Sequence, residues 1–176
     1  MTKQEIRQEI RRRKAACSKE ERATLSREVI AKLTTSPLWQ QAQVILLYHS
    51  LPDEVDTRDL IRQASAEGKR VMLPVVVGDD LELHEYNGED SLVEGAFHIQ
   101  EPQGDAFTDY DTIDLAVIPG VAFSIDGTRL GRGRGYYDRL LPRLQRAYKC
   151  GLCWPFQLVE GIPSEPHDVR MNAVIC

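Results

Sequence analysis

Residues 44–48 read Val-Ile-Leu-Leu-Tyr, five apolar residues in succession with no polar alternation. A strand with one wet face alternates, whereas a continuous apolar run is buried on both faces, as the strands of a parallel sheet are. Arg70–Val77 and Leu115–Ile118 repeat this pattern, and Lys149–Cys153 and Asn172–Cys176 are candidate closing strands. Leu81–Tyr86 alternates and reads as a smaller strand beyond a Gly78-Asp79-Asp80 turn. Helical segments separate these strands. Thr2-Lys-Gln-Glu5 and Ser18-Lys-Glu-Glu21 fit the capping-box pattern and predict helices over 3–16 and 19–33. Ser36-Pro37 reads as an N-cap with proline at the first position of a short third helix. Thr57–Ala66 is expected to be helical, with Asp56-Thr57 as its cap and Gly68 as its stop. A helix is predicted over Gly135–Ala147, with Pro142 bending or dividing it. Ser91–Thr112, holding Pro102 and few apolar residues, reads as loop with short pieces of structure. Strands alternating with helices imply an α/β fold: three layers, α/β/α, around a mostly parallel sheet. The 176-residue length suits one domain, 1–176, with helices in 1–35 packed on the α/β core.

The composition, 42% hydrophobic and 28% charged, is that of a water-soluble globular chain, and no apolar run reaches the length of a membrane span. The amphipathic start, MTKQEIRQEIRRRK, lacks the apolar core of a secretory signal, and Glu5 and Glu9 argue against a mitochondrial presequence. Cys17, Cys150, Cys153 and Cys176 are read as free, largely buried thiols of a cytoplasmic protein. Cys150-Gly-Leu-Cys153 sits in a strand, where positions three apart face opposite sides, and no second ligand pair accompanies it. His84 and His98 are expected at the surface. The net charge of −5 is unevenly placed. Val71–Thr128 contains no Lys or Arg, whereas Arg129–Lys149 holds one acid, Asp138. Basic charge therefore gathers at the N-terminus and in one later segment, an arrangement that draws in a polyanion if both line one cleft. Arg11–Lys14 is read as a solvated helix face.

That later segment is RLGRGRGYYDR, residues 129–139. Gly131, Gly133 and Gly135 allow positive φ and close approach, and consecutive backbone N–H groups in such a loop form an anion nest. Arg129, Arg132 and Arg134 add forked donors suited to phosphate. The segment then turns helical, placing a helix N-terminus against the same anion. It is neither a Walker A loop nor a dinucleotide fingerprint, since it lacks Gly-Lys-Ser/Thr and reads G-x-G-x-G. An Arg/Gly-rich nucleic-acid tail is the alternative, but such tails are long and repetitive, and this stretch is short and flanked by apolar segments. No nucleic-acid or membrane partner is expected.

Together with PGVAFSIDGT (119–128), this stretch resembles the signature of the 5-formyltetrahydrofolate cyclo-ligase family, also called methenyltetrahydrofolate synthetases. Lys3-x-x-x-Arg7, YHSLPDEVDT (48–57) and VEGIPSEPHDVRMNAVI (159–175) resemble three further family motifs in the right order. The resemblance implies the architecture of the sugar-isomerase and CoA-transferase superfamily. It also implies two small-molecule substrates, a reduced folate and ATP, acted on by a monomer with Mg²⁺. The formyl oxygen is phosphorylated, N10 attacks the activated carbon, and phosphate leaves.

On this resemblance, ATP is held by Lys3, Arg7 and the run Arg129, Leu130, Gly131, Arg132, Gly133, Arg134, Gly135, Tyr136 and Tyr137. Folate is contacted by His49, Glu54, Arg132, Gly133, Arg134, Gly135 and Tyr136. Arg132 and Arg134 are the catalytic cations, neutralising charge on the transferring phosphoryl group. Asp138 and Asp168 are the metal-associated carboxylates, Asp138 being the only acid in a basic stretch beside the cradle. His49 departs from a family position that is often apolar. Tyr136 and Tyr137 either stack on folate or fill the core, with core packing favoured for Tyr137. His167 adjoins Asp168 and is placed to orient it. The alternative is a regulatory relative that binds nucleotide or folate without turnover.

Overall fold

A computed structural model describes residues 1–176. Five helices are present: α1 (Lys3–Ala16), α2 (Lys19–Thr34), α3 (Pro37–Gln41), α4 (Arg58–Ala66) and α5 (Tyr136–Leu140). The strands are β1 (Val44–Leu46), β2 (Arg70–Val77), β3 (Asp80–Glu85), β4 (Leu92–Glu94), β5 (Gln100–Pro102), β6 (Ala106–Phe107), β7 (Leu115–Ile118), β8 (Ala122–Phe123), β9 (Arg129–Leu130), β10 (Tyr148–Leu152) and β11 (Ala173–Ile175). Both capping boxes form, with Thr2 and Ser18 accepting the N–H of Glu5 and Glu21 while those carboxylates return to the cap N–H groups. Ser36 caps α3 with Pro37 in its first turn.

The main sheet has the order β11-β10-β7-β1-β2-β3-β6. Its five strands from β11 to β2 are parallel, and β3 and β6 are antiparallel additions at one edge. Ile45 aligns with Val71 on one side and Leu115 on the other, so β1 is buried in every direction and needs its apolar run. Alternate side chains feed two cores. Ile45, Leu47, Val71, Leu73, Val117 and Cys150 pack with α2, α3 and α4 through Val29, Leu33, Trp39, Leu60 and Ile61. Leu46, Met72, Ala116 and Ile118 pack on the opposite face with Phe123, Leu140, Leu141 and Met171. Cys150 and Cys153 accordingly lie on opposite faces. Helix α1 adds a smaller cluster, Ile6 and Ile10 on Ala122, Leu130 and Ile162, which seats it beside the glycine-rich segment.

Several expectations are corrected. The helix expected to reach Ala147 ends at Leu140 and gives way to one 3-10 turn at Leu141–Arg143, because Pro142 has no N–H and its ring clashes one turn back. The first strand stops at Leu46, although Leu47 and Tyr48 stay buried. Thr57 occupies the cap position of α4 but spends its hydroxyl on the Tyr48 carbonyl, so Asp56 alone receives the Arg58 N–H. His84 is buried on β3, where the sheet edge is covered by β6, while His98 is exposed. Arg11 and Arg12 are solvated, but Arg13 donates to the Phe156 carbonyl and Lys14 is only 12% exposed, bonded to Asp53. Burial lowers the Lys14 pKa. Cys17 and Cys176 are half-buried rather than interior.

One close contact fixes the sheet against the loop after β7. Phe123 is fully buried with its ring between two glycines, and a Cβ on Gly151 would fall 2.4 Å from its Cε1. Gly120 faces the other ring edge, where a Cβ would meet Cζ at 2.8 Å. Gly151→Ala is expected to destabilise the fold by about 1–3 kcal/mol, as overpacking does. A urea midpoint equal to that of the parent would contradict this packing.

Candidate active site

The sheet order changes direction between β1 and β7: the chain leaves β1 for β2 on one side and later returns to β7 on the other. Ligands of open α/β sheets bind outside the carboxyl ends of the strands at such a point. A cavity of about 380 Å³ lies there. Its wall includes Tyr48 and His49 after β1, Pro119 and Gly120 after β7, and Pro74 and Val76 at the end of β2.

Every residue assigned to ATP, folate or metal from the sequence lines this one cavity: Lys3, Arg7, His49, Glu54, the run Arg129–Asp138 and Asp168; His167 does not. The cavity has two ends. The first is cationic and glycine-rich. Arg7 holds the loop to α1 by donating to the Gly131 carbonyl at 2.9 Å. Arg129 is 8% exposed on its side chain and supports the loop from below, donating to the Pro119 carbonyl at 2.7 Å and lying 5.0 Å from the Tyr137 ring centre. Burial lowers the Arg129 pKa and raises that of the Tyr137 hydroxyl, which Glu54 raises further. Gly133 and Gly135 have φ of +103° and +74°, conformations in which a larger residue is strained. Gly135 opens the short helix α5.

The two central arginines differ. Arg132 is engaged, donating to Asp53 at 2.7 and 3.2 Å and to Glu54 at 3.1 Å. Burial alone would lower its pKa, but Asp53 and Glu54 outweigh this and raise it. Burial likewise acts to raise the Asp53 carboxyl, and Arg132 with Lys14 overrides it and holds Asp53 low. Arg134 forms no ion pair and lies over the Phe97 ring at 4.6 Å. Two carboxylates flank this end. Asp138 is 64% exposed, 3.6 Å from Arg129, and Asp168 is 23% exposed, 3.9 Å from Lys3. His167 stands 3.7 Å from Asp168, and Glu165, His167 and Asp168 offer donor atoms within 4.8 Å of one another.

The second end is apolar: Tyr48, Leu51, Pro74, Val76, Leu81, Phe97 and Ile99 line it, with the carboxylates of Glu54 and Glu101 set in that wall. The turn after β1 fixes Glu54, whose Oε2 accepts the Leu51 N–H at 3.0 Å. Burial lowers the His49 pKa, keeping the imidazole neutral at pH 7. Tyr136 and Tyr137 line the cavity and also pack on the core beside it. Phe97, Ile99 and Glu101 were not read as site residues. They come from the 91–112 segment, whose β4–β5 hairpin folds over the cavity with Phe97 at φ 57° and edge-on to Tyr136. The available signal was an aromatic residue in an otherwise polar loop.

Comparison with known proteins gives one consistent result. The family model for the 5-formyltetrahydrofolate cyclo-ligase family matches residues 1–176. The 5-formyltetrahydrofolate cyclo-ligase of Escherichia coli (strain K12) is 33% identical over 174 residues, covering 94% of this chain and 95% of the relative. That of Mus musculus is 28% identical, covering 98% and 92%. The solved 5,10-methenyltetrahydrofolate synthetase of Aquifex aeolicus superposes with a TM-score of 0.87 at 34% identity, over 99% of this chain and 89% of that one. The Mycoplasma pneumoniae synthetase gives 0.79 at 26% identity, over 99% and 98%. With a family-model match along its whole length and a relative 33% identical over 94% of the chain, the chain belongs to the 5-formyltetrahydrofolate cyclo-ligase family.

Proposed function

We propose that this protein catalyses the ATP-dependent conversion of 5-formyltetrahydrofolate to 5,10-methenyltetrahydrofolate, releasing ADP and phosphate. The observation that carries this reading is one cavity lined both by the cationic, glycine-rich run 129–138 and by apolar residues such as Leu51, Pro74 and Val76, a lining that suits a polyanion together with a flat heterocycle. The reaction needs both at once, because the formyl oxygen must meet the γ-phosphorus.

Lys3, Arg7 and the run Arg129–Tyr137 hold the triphosphate, with the glycine amides cradling it and Lys3 as a point charge. Glu54 accepts N–H donors of the aminopyrimidine ring, and His49 and Tyr136 flank it. Arg134, unpaired, and Arg132, released from Asp53 and Glu54, neutralise the transferring phosphoryl group. The formyl oxygen attacks the γ-phosphorus and ADP departs. The N10 lone pair then attacks the formyl carbon, the C–O bond breaks with phosphate as leaving group, and the N10 proton is lost to give the cyclic amidinium. Asp138 and Asp168 both present carboxylate oxygens to the cavity, a donor set that suits Mg²⁺, and they would hold it. Mg²⁺ supplies charge neutralisation on the phosphate oxygens. A regulatory relative without turnover is disfavoured because every one of these groups faces the same cavity.

Arg132→Ala and Arg134→Ala are each expected to lower kcat/KM about 10²–10³-fold, the usual loss for one transition-state charge donor, with the thermal midpoint kept. The check is the near-ultraviolet absorbance of the methenyl product, and parental rates in both variants would remove the assigned roles. A second expectation concerns pH. Because burial lowers the folded-state pKa of His49, the unfolded chain takes up this proton first as pH falls through about 6.5, and stability declines from there downward. His49→Gln is expected to flatten this part of the profile, read as urea midpoints between about pH 7 and 5. An unaltered slope would contradict a neutral, half-buried imidazole.

A further inference from the structure

β2 extends beyond its neighbour. Val44–Leu46 of β1 pair with Arg70–Met72, and the last contact is the Leu47 N–H on the Met72 carbonyl. From Leu73 to Val77 the inner edge of β2 has no strand beside it. The backbone positions that face inward there are Pro74, which has no N–H, and Val76, whose N–H is donated to Glu101 Oε2 at 2.8 Å. Glu101, at the end of the hairpin over the cavity, thus completes the bare edge. It does so with one oxygen.

The other oxygen has no such use. Glu101 is 8% exposed, lines the apolar end of the cavity and forms no ion pair, and Oε1 accepts no hydrogen bond. The carboxylate packs closely against Gly95, where an added Cβ would fall 1.8 Å from Oε1, so glycine at this place is what admits the Glu101 side chain. A carboxylate buried without a cation is costly, since burial removes its hydration and one backbone bond does not replace it. Capping Val76 requires only a carbonyl oxygen, so the structural task does not account for the charge. Glu54 differs: its Oε2 accepts the Leu51 N–H, and its Oε1 is held by Arg132 until that arginine is released, leaving Glu54 one oxygen for the ring.

We propose that Glu101 is a specificity-determining residue of the folate compartment, its free Oε1 accepting an N–H donor of the aminopyrimidine ring. This rests on the cyclo-ligase reading above. The ring offers an amino group and an adjacent ring N–H, donors that complement a carboxylate, and its faces suit the surrounding Pro74, Val76, Leu81 and Phe97. Adenine also carries an amino group, and the separate KM values for the folate and for ATP distinguish the two rings.

The test is Glu101→Gln in the full chain. Glutamine keeps a carbonyl for the Val76 N–H and replaces the free acceptor with a donor. Loss of a hydrogen bond to a charged group predicts a rise of about 10–100-fold in KM for 5-formyltetrahydrofolate, with kcat and the KM for ATP unchanged. The thermal midpoint of the ligand-free variant should equal or exceed that of the parent, because a buried unpaired charge has been removed. A parental KM for the folate overturns the proposal, as does an increase confined to ATP or a marked loss of ligand-free stability, which would make Glu101 a purely structural group. Direct titration of 5-formyltetrahydrofolate into both proteins separates the two readings. A parent protein that binds the folate without converting it contradicts the cyclo-ligase reading while the Glu101 comparison still stands, and one that binds none contradicts both.

Discussion

Unequal strand lengths at the centre of the sheet open the site. β1 contributes three paired residues and is flanked by β2 and β7, while β2 has eight residues and continues past it. The chain leaves β1 toward β2 and comes back on the far side as β7, so the loops after these strands diverge and a crevice lies between them. The loop after β1 brings Tyr48, His49 and Glu54, and the loop after β7 leads through Phe123 to the glycine-rich run. The β2 overhang becomes the floor of the apolar end, and the hairpin from 92 to 102 covers it. Helix α1, seated by Ile6 and Ile10, closes the cationic end with Lys3 and Arg7.

Charge is arranged so that the cationic end can exchange partners. Arg132 and Asp53 are 44% and 45% exposed, and ion pairs at such positions contribute at most about 1 kcal/mol. In the proposed reaction a phosphate replaces these carboxylates as the partner of Arg132, for which such weakly held, half-exposed pairs are suited. Arg134 has no carboxylate to leave and rests on the Phe97 face. Arg129 behaves differently from both. Buried beneath the loop and bonded to the Pro119 carbonyl, it ties the end of β7 to the cradle, and its charge acts from below.

Much of this was legible from the chain, for local reasons. Capping boxes specify helix starts through side chains three residues apart, and both formed as read. Apolar runs specify strands buried on two faces, and Val44, Arg70 and Leu115 each begin one. The glycine-arginine run stood out from its composition, and it lines the cavity with Gly133 and Gly135 at positive φ. What was not legible depends on partners distant in sequence. Lys14 looks solvated on its helix and becomes interior only because Asp53 is brought to it. His84 alternates like a surface residue until β6 covers the edge. Glu101 lies in a polar loop, and its importance comes from an overhang on β2 that no pattern around residue 101 encodes. Pro142 marked a break, and only one 3-10 turn, Leu141–Arg143, remains of the helix expected beyond Leu140, with Leu141 and Leu144 packed on the core.

In the reaction proposed above, one cavity brings the formyl oxygen of the folate to the γ-phosphorus of ATP. Turnover of 5-formyltetrahydrofolate labelled with ¹⁸O in the formyl group, followed by mass analysis of the released phosphate, tests this directly. Direct phosphorylation predicts that the label appears in phosphate. Label found in water, or methenyl product formed without ATP consumption, would contradict it.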